Sequence, residues 1–102
     1  MSNFIIEYSK DAKQDLIHIK TYIKYNLQEP KIANDLIFRI RNEINKLINN
    51  PEIYRILNED IISKLNIRKI NIDNYIVFYR IEHTSIQIIR IMHKRRNWTN
   101  LL

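Results

Sequence analysis

The chain has no cysteine. Disulfides, thiolate nucleophiles and cysteine-ligated zinc are therefore excluded from its chemistry. It has no glycine either. Walker and Rossmann phosphate loops both rely on glycines for tight turns and for close approach to phosphate, so neither can be built. Tight turns must fall to Asn and Asp, the next residues to tolerate left-handed backbone. Proline occurs only at Pro30 and Pro51. No apolar run approaches the roughly 20 residues of a membrane span, so no membrane partner is expected. The opening Met1–Tyr8 stretch lacks a basic segment followed by an apolar one, so it does not read as a signal peptide. Together these absences point to the cytoplasm.

What is present is a basic chain with ample apolar content. Its 102 residues suit a single domain spanning 1–102, and 45% of them are hydrophobic, enough for a real core. The net charge of +6 favours an anionic partner: nucleic acid, an acidic protein or an anionic surface. Solvated lysines explain the same charge equally well. The distribution says more than the total. From His83 to Leu102 there is no Asp or Glu, while Arg90, Lys94, Arg95 and Arg96 are all there. Positive charge is thus placed at the end of an apolar strand, a rigid support from which to present it.

Phe4–Tyr8 reads as a short strand, with Ser9 as the N-cap of a helix and Asp11 in its first turn. Ala12, Leu16, Ile19 and Ile23 recur at helical spacing. Leu27–Pro30 breaks the pattern, and Pro30 suits the first turn of a second helix. Its stripe is Ala33, Ile37, Ile40, Ile44 and Leu47, reinforced by Leu36 and Ile48, and Asn49-Asn50-Pro51 ends it. Residues 52–64 fit a helical turn or irregular chain. Three β-rich runs follow, Leu65–Ile72, Tyr75–Glu82 and Ile86–His93, with links too short for parallel crossovers. The fold class expected is α+β: an N-terminal strand, an antiparallel helical hairpin, then a three-strand antiparallel meander completing one sheet. Alternation puts Ile76 and Phe78 on a face with Arg80, opposite Tyr75, Val77, Tyr79 and Ile81. In the last run it sets Ile89, Ile91 and His93 against Ile88, Arg90 and Met92.

Chemistry has few places to reside. His18 reads as solvent-facing and His83 as a turn residue. His93 ends the last strand beside three cations, which disfavour its protonation and suit a neutral general base; an ordinary strand-end imidazole is the plainer role. The three histidines share no ligand spacing, so neither a metal nor a cofactor is expected. Asp11/Asp15 and Glu59/Asp60 read as solvated surface. The basic set is the stronger signal: Arg68, Lys69, Arg80 and Arg90 in the strands, and Lys94, Arg95 and Arg96 after them. Tyr75, Tyr79 and Trp98 add aromatic planes. Such a set could hold RNA, could cleave it with a base such as His93, or could dock an acidic protein.

In order along the chain, four segments carry a resemblance. They are Ala12, Asp15, Leu16 and Ile19 opening the first helix; Pro30 and Ala33 opening the second; Ile67–Arg80; and Ile89–Trp98. With these the chain resembles the RelE/ParE superfamily, toxins of bacterial type II toxin–antitoxin systems, and more closely the ParE-like branch. The resemblance implies a helical hairpin on an antiparallel sheet and a cognate antitoxin as partner. It implies one of two targets: DNA gyrase for ParE-like members, or ribosome-bound mRNA cut without a metal for RelE-like ones. For a ribonuclease it would make His93, Arg95 and Lys69 catalytic, with Arg68, Arg90, Lys94, Arg96, Trp98, Tyr75 and Tyr79 binding target or nucleic acid. RelE-like members carry a functional Arg where this chain has Ile76, and a catalytic Tyr or His–Tyr pair near the end where it has Leu101 and Leu102.

Overall fold

The computed structural model describes residues 3–57, 65–98 and 101–102. Strand β1 (Ile5–Tyr8) leads into helix α1 (Lys10–Thr21), which runs on into a π-helical turn, Tyr22–Asn26. Helix α2 (Pro30–Asn45) returns and ends in a 3-10 turn, Lys46–Ile48. Strands β2 (Arg68–Ile72), β3 (Tyr75–Glu82) and β4 (Ser85–His93) complete the fold. The α+β order read from periodicity is the order observed. Residues 58–64 lie outside the described residues, and with them the Glu59/Asp60 pair; before them, Ile56 bridges to Arg68 at the start of β2.

The sheet runs β1-β4-β3-β2. The meander is antiparallel, but β1 lies parallel to β4, with Ile5 opposite Ser85 and Tyr8 opposite Ile88. The sheet is therefore mixed. Its parallel pair is possible because the helical hairpin and the meander supply the long crossover that adjacent parallel strands require. Ser9 fixes the junction. Its Oγ accepts from the Ala12 N–H at 2.9 Å and donates to the Ile89 carbonyl at 2.7 Å, so the cap of α1 is also pinned to β4. With no glycine, the left-handed positions fall to Gln28, Asn66, Asp73 and His83, φ 53 to 56°. Asn and Asp are as expected; Gln28 and His83 carry more of the steric cost.

Two cores result, one on each face of the sheet. The main core joins Leu16, Ile19, Ile40 and Ile44 of the helices to Ile70, Val77, Tyr79, Ile88 and Ile91. The outer face holds a smaller cluster of Ile67, Ile76, Phe78 and Met92, packed against Leu57, Ile89, Trp98 and Leu102. The alternation read for β3 holds. That for β4 does not, because Phe78 pairs with Arg90 while Tyr79 pairs with Ile88. Ile89 is the extra residue of a β-bulge, which resets the alternation: Ile88 and Ile91 share the main core, and Ile89 turns to the outer face with Met92.

Tyr79 is fully buried and donates its hydroxyl to the Pro51 carbonyl at 2.7 Å. Burial pushes its phenol up to about 12, against the nearby Arg68 cation, which pulls it down. A proton held more tightly when folded stabilises the fold below pH 10, the ordinary value, and that contribution is lost as pH rises toward 12. Tyr79→Phe should cost about 1–2 kcal/mol at neutral pH by orphaning the carbonyl. Urea melts at pH 7 and pH 11 check both points: the gap between wild type and variant should narrow at pH 11, and a constant gap would refute the linkage.

Candidate functional site

The sheet divides the residues that a nuclease would have to bring together. Lys69 pairs with Phe78, and its Nζ lies 5.8 Å from the ring centre of Trp98, which packs 5.1 Å from Phe78 on the outer face. His93 pairs with Tyr75 on the helix face, the two rings 5.3 Å apart and near perpendicular at 78°. Arg95 sits in the exposed turn after β4, its backbone N–H donating to His93 Nδ1 at 3.2 Å. While Nδ1 accepts that bond, the neutral ring carries its proton on Nε2 and shows the solvent a donor rather than a base. The expected trio of His93, Arg95 and Lys69 does not converge.

Three residues from the binding set hold the fold instead. Asp15 is only 8% exposed, not the solvated residue its neighbours suggested. Its Oδ2 accepts from Arg90 Nε at 2.8 Å and from the Ile91 N–H at 2.9 Å, and Oδ1 accepts from Arg90 Nη2 at 2.9 Å. The reason is topological. Pairing with β1 stops at Ile88, so β4 beyond it has a free edge, and α1 supplies a carboxylate to satisfy it. The Asp15 hydrogen bond holds the Arg90 guanidinium above its ordinary value, against burial. Arg68 reaches back to the Tyr54 and Glu52 carbonyls and ties the segment before β2. Tyr79 is core. Arg68, Arg90 and Tyr79 are therefore structural, whereas Lys94, Arg95 and Arg96 are exposed and Trp98 and Tyr75 half-buried.

A cleft of about 730 Å³ opens between the far end of the helical hairpin and the end of the sheet. The helices contribute His18, Tyr22, Leu36 and Arg39; the β2–β3 corner gives Asp73, Asn74 and Tyr75; the end of β4 and the turn after it give His93 and Arg96. His18 is exposed, as expected, but it looks into this cleft. Tyr22 and Arg39 were not singled out by the sequence. The available signal was the i, i+4 spacing of His18 and Tyr22, which stacks them on one helical face. Burial first, then the neighbouring Tyr22 phenol, raises the Tyr75 hydroxyl above its ordinary value. Among the described residues no group of three or more His, Cys, Asp or Glu could hold a metal, and no helix is long and apolar enough to cross a membrane.

A family model described as the ParE toxin of type II toxin–antitoxin systems, parDE, matches residues 6–98. No curated protein matches the chain. Among solved structures, the chain is similar to one in the chromosomal ParDE toxin–antitoxin system from P. aeruginosa. The two are 19% identical with a TM-score of 0.73, over 88% of this chain and 95% of that one. It is also similar to a chain of the toxin–antitoxin complex RelBE2 from Mycobacterium tuberculosis, 18% identical with a TM-score of 0.60, over 88% and 96%. At these identities the two structures speak for the fold.

Proposed function

Because the chain belongs to the ParE toxin family of type II toxin–antitoxin systems, we propose that it arrests bacterial growth by docking on DNA gyrase. We propose further that a cognate antitoxin restrains it and that it acts in the cytoplasm. The observation that carries the choice of target is the division of Lys69 from His93 by the sheet. A ribosome-dependent nuclease needs cations at the scissile phosphate and, within reach of them, a group to move the 2′-hydroxyl proton. Here the one imidazole of the expected trio is on one face and the strand lysine on the other. The position where RelE-like members carry an Arg is Ile76, 5% exposed in the outer cluster with Phe78 and Met92. Docking makes no such demand. Lys94, Arg95 and Arg96, exposed in one turn with Trp98 beside it, suit a charged and aromatic anchor. The antitoxin reading draws on the two solved relatives, both from toxin–antitoxin systems.

Two reactions given the purified protein separate the targets: gyrase supercoiling and translation of a programmed ribosome. Supercoiling should fall and the mRNA stay intact. His93→Gln should leave growth arrest largely in place, since loss of one acid–base group lowers a nuclease by about 10²-fold or more but does not touch a docking anchor. Discrete cuts in the ribosomal A site with supercoiling unaffected would reverse the assignment. No arrest at good yield would point to a basic nucleic-acid-binding module without toxicity.

A further inference from the structure

The cleft between the hairpin and the sheet end shares only Arg96 with the docking turn just described, and the rest of its chemistry is of another kind. Two carboxylates border it, and both are already neutralised: Asp15 by Arg90, and Asp73 by Arg39 at 2.6 Å. Arg96 is left as a cation with no carboxylate partner among the described residues. The polar groups that remain are donors or can donate: the Tyr22 and Tyr75 hydroxyls, the His18 ring, the Asn74 amide and the His93 Nε2–H. The helix wall behind them is aliphatic, with Ile19, Ile23 and Leu36 buried. Tyr22, 52% exposed, stands at the start of the π-helical turn, a local widening often found where a helix shapes a ligand site. A volume of about 730 Å³ lies within the range of small-molecule sites.

We propose that this cleft binds a phosphorylated nucleoside. The ring would lie between the aliphatic wall and the Tyr22 and Tyr75 phenols, and the phosphate would sit against Arg96 and the His93 Nε2–H. The donor surplus favours phosphate over carboxylate, because a phosphate offers three acceptor oxygens to several donors. The aromatic rings favour a base, since every base has a face to stack. This site is on the helix face of the sheet, away from Lys69, and it stands whether or not gyrase is the target.

The test is calorimetric titration of the full chain with AMP, adenosine, inorganic phosphate and a 5′-phosphorylated single-stranded oligonucleotide. AMP should bind about tenfold or more tighter than adenosine or phosphate alone. Tyr22→Ala and Arg96→Glu, both at exposed positions, should each weaken AMP by about tenfold or more, the scale of one stacked base or one charge-assisted bond. Arg55→Glu, exposed and remote from the cleft, should leave AMP binding unchanged. An oligonucleotide that binds at least as tightly as AMP, with the same dependence on Tyr22, identifies the ligand as a nucleic-acid end; one that binds more weakly identifies a free nucleotide. The proposal is overturned if AMP binds no better than phosphate, or if Arg55→Glu weakens it as much as Arg96→Glu.

Discussion

Replacing Asp15 with Ala should destabilise the fold by about 3 kcal/mol. The side chains of Arg90 and Asp15 are 18% and 9% exposed, so the pair sits at the lower end of the buried range. The substitution removes both guanidinium bonds and strands the Ile91 N–H at a sheet edge that, among the described residues, no strand covers. Thermal melts read the loss directly, at about 4–8 °C per kcal/mol for a domain of this size. Asp15→Asn should cost less, since one amide oxygen can still accept from Ile91. The pair Asp15→Leu with Arg90→Met should recover part of the loss but not all, because the Ile91 N–H stays without an acceptor. An Ala variant melting within a degree or two of wild type would mean that water replaces the carboxylate and that the edge needs no cap.

The largest functional effect is expected from reversing the tail charge. Lys94, Arg95 and Arg96, all changed to Glu, should abolish growth arrest and weaken target binding by at least about a hundredfold. Like charges brought face to face at an interface cost several kcal/mol. All three side chains are exposed, so the melting temperature should stay within a few degrees. Loss of arrest with the fold intact assigns the turn to the target. Arrest at the wild-type level would move the docking surface elsewhere. Arg96→Glu alone keeps the two proposals apart: it should weaken AMP while leaving most of the docking charge in place.

Helical spacing and short links were enough to read the order of elements, because each depends on residues close in sequence. Ser9 was legible as a cap for the same reason. What failed to show was set by distant partners. Asp15 looks like surface beside Lys13, Gln14 and His18. Only the end of β1 pairing at Ile88, more than seventy residues away, makes it a buried ligand of Arg90 and Ile91. The bulge at Ile89 was hidden because the run Ile88–Met92 is apolar on both sides of Arg90, so no alternation of polar and apolar residues marks a slip. Both features lie beside the candidate site. Asp15 removes Arg90 from the free cations, and alternation alone does not say which face of β3 and β4 meets the helices. The division of Lys69 from His93 could not be read until the sheet was in place.

The parallel pairing of β1 with β4 also bears on when the protein can become active during its synthesis. Ile5 meets Ser85, and the Ser9 hydroxyl meets the Ile89 carbonyl eighty residues later. Until those late residues are made, β1 has no strand to join and the free carboxylate of Asp15 has no guanidinium to meet. Closing so long a loop is entropically costly and slow relative to local helix formation. A nascent chain can therefore form its helical hairpin early, yet it lacks the last strand, the basic turn after it and one wall of the cleft. The fold of this toxin-family protein therefore cannot close until β4 has been synthesised.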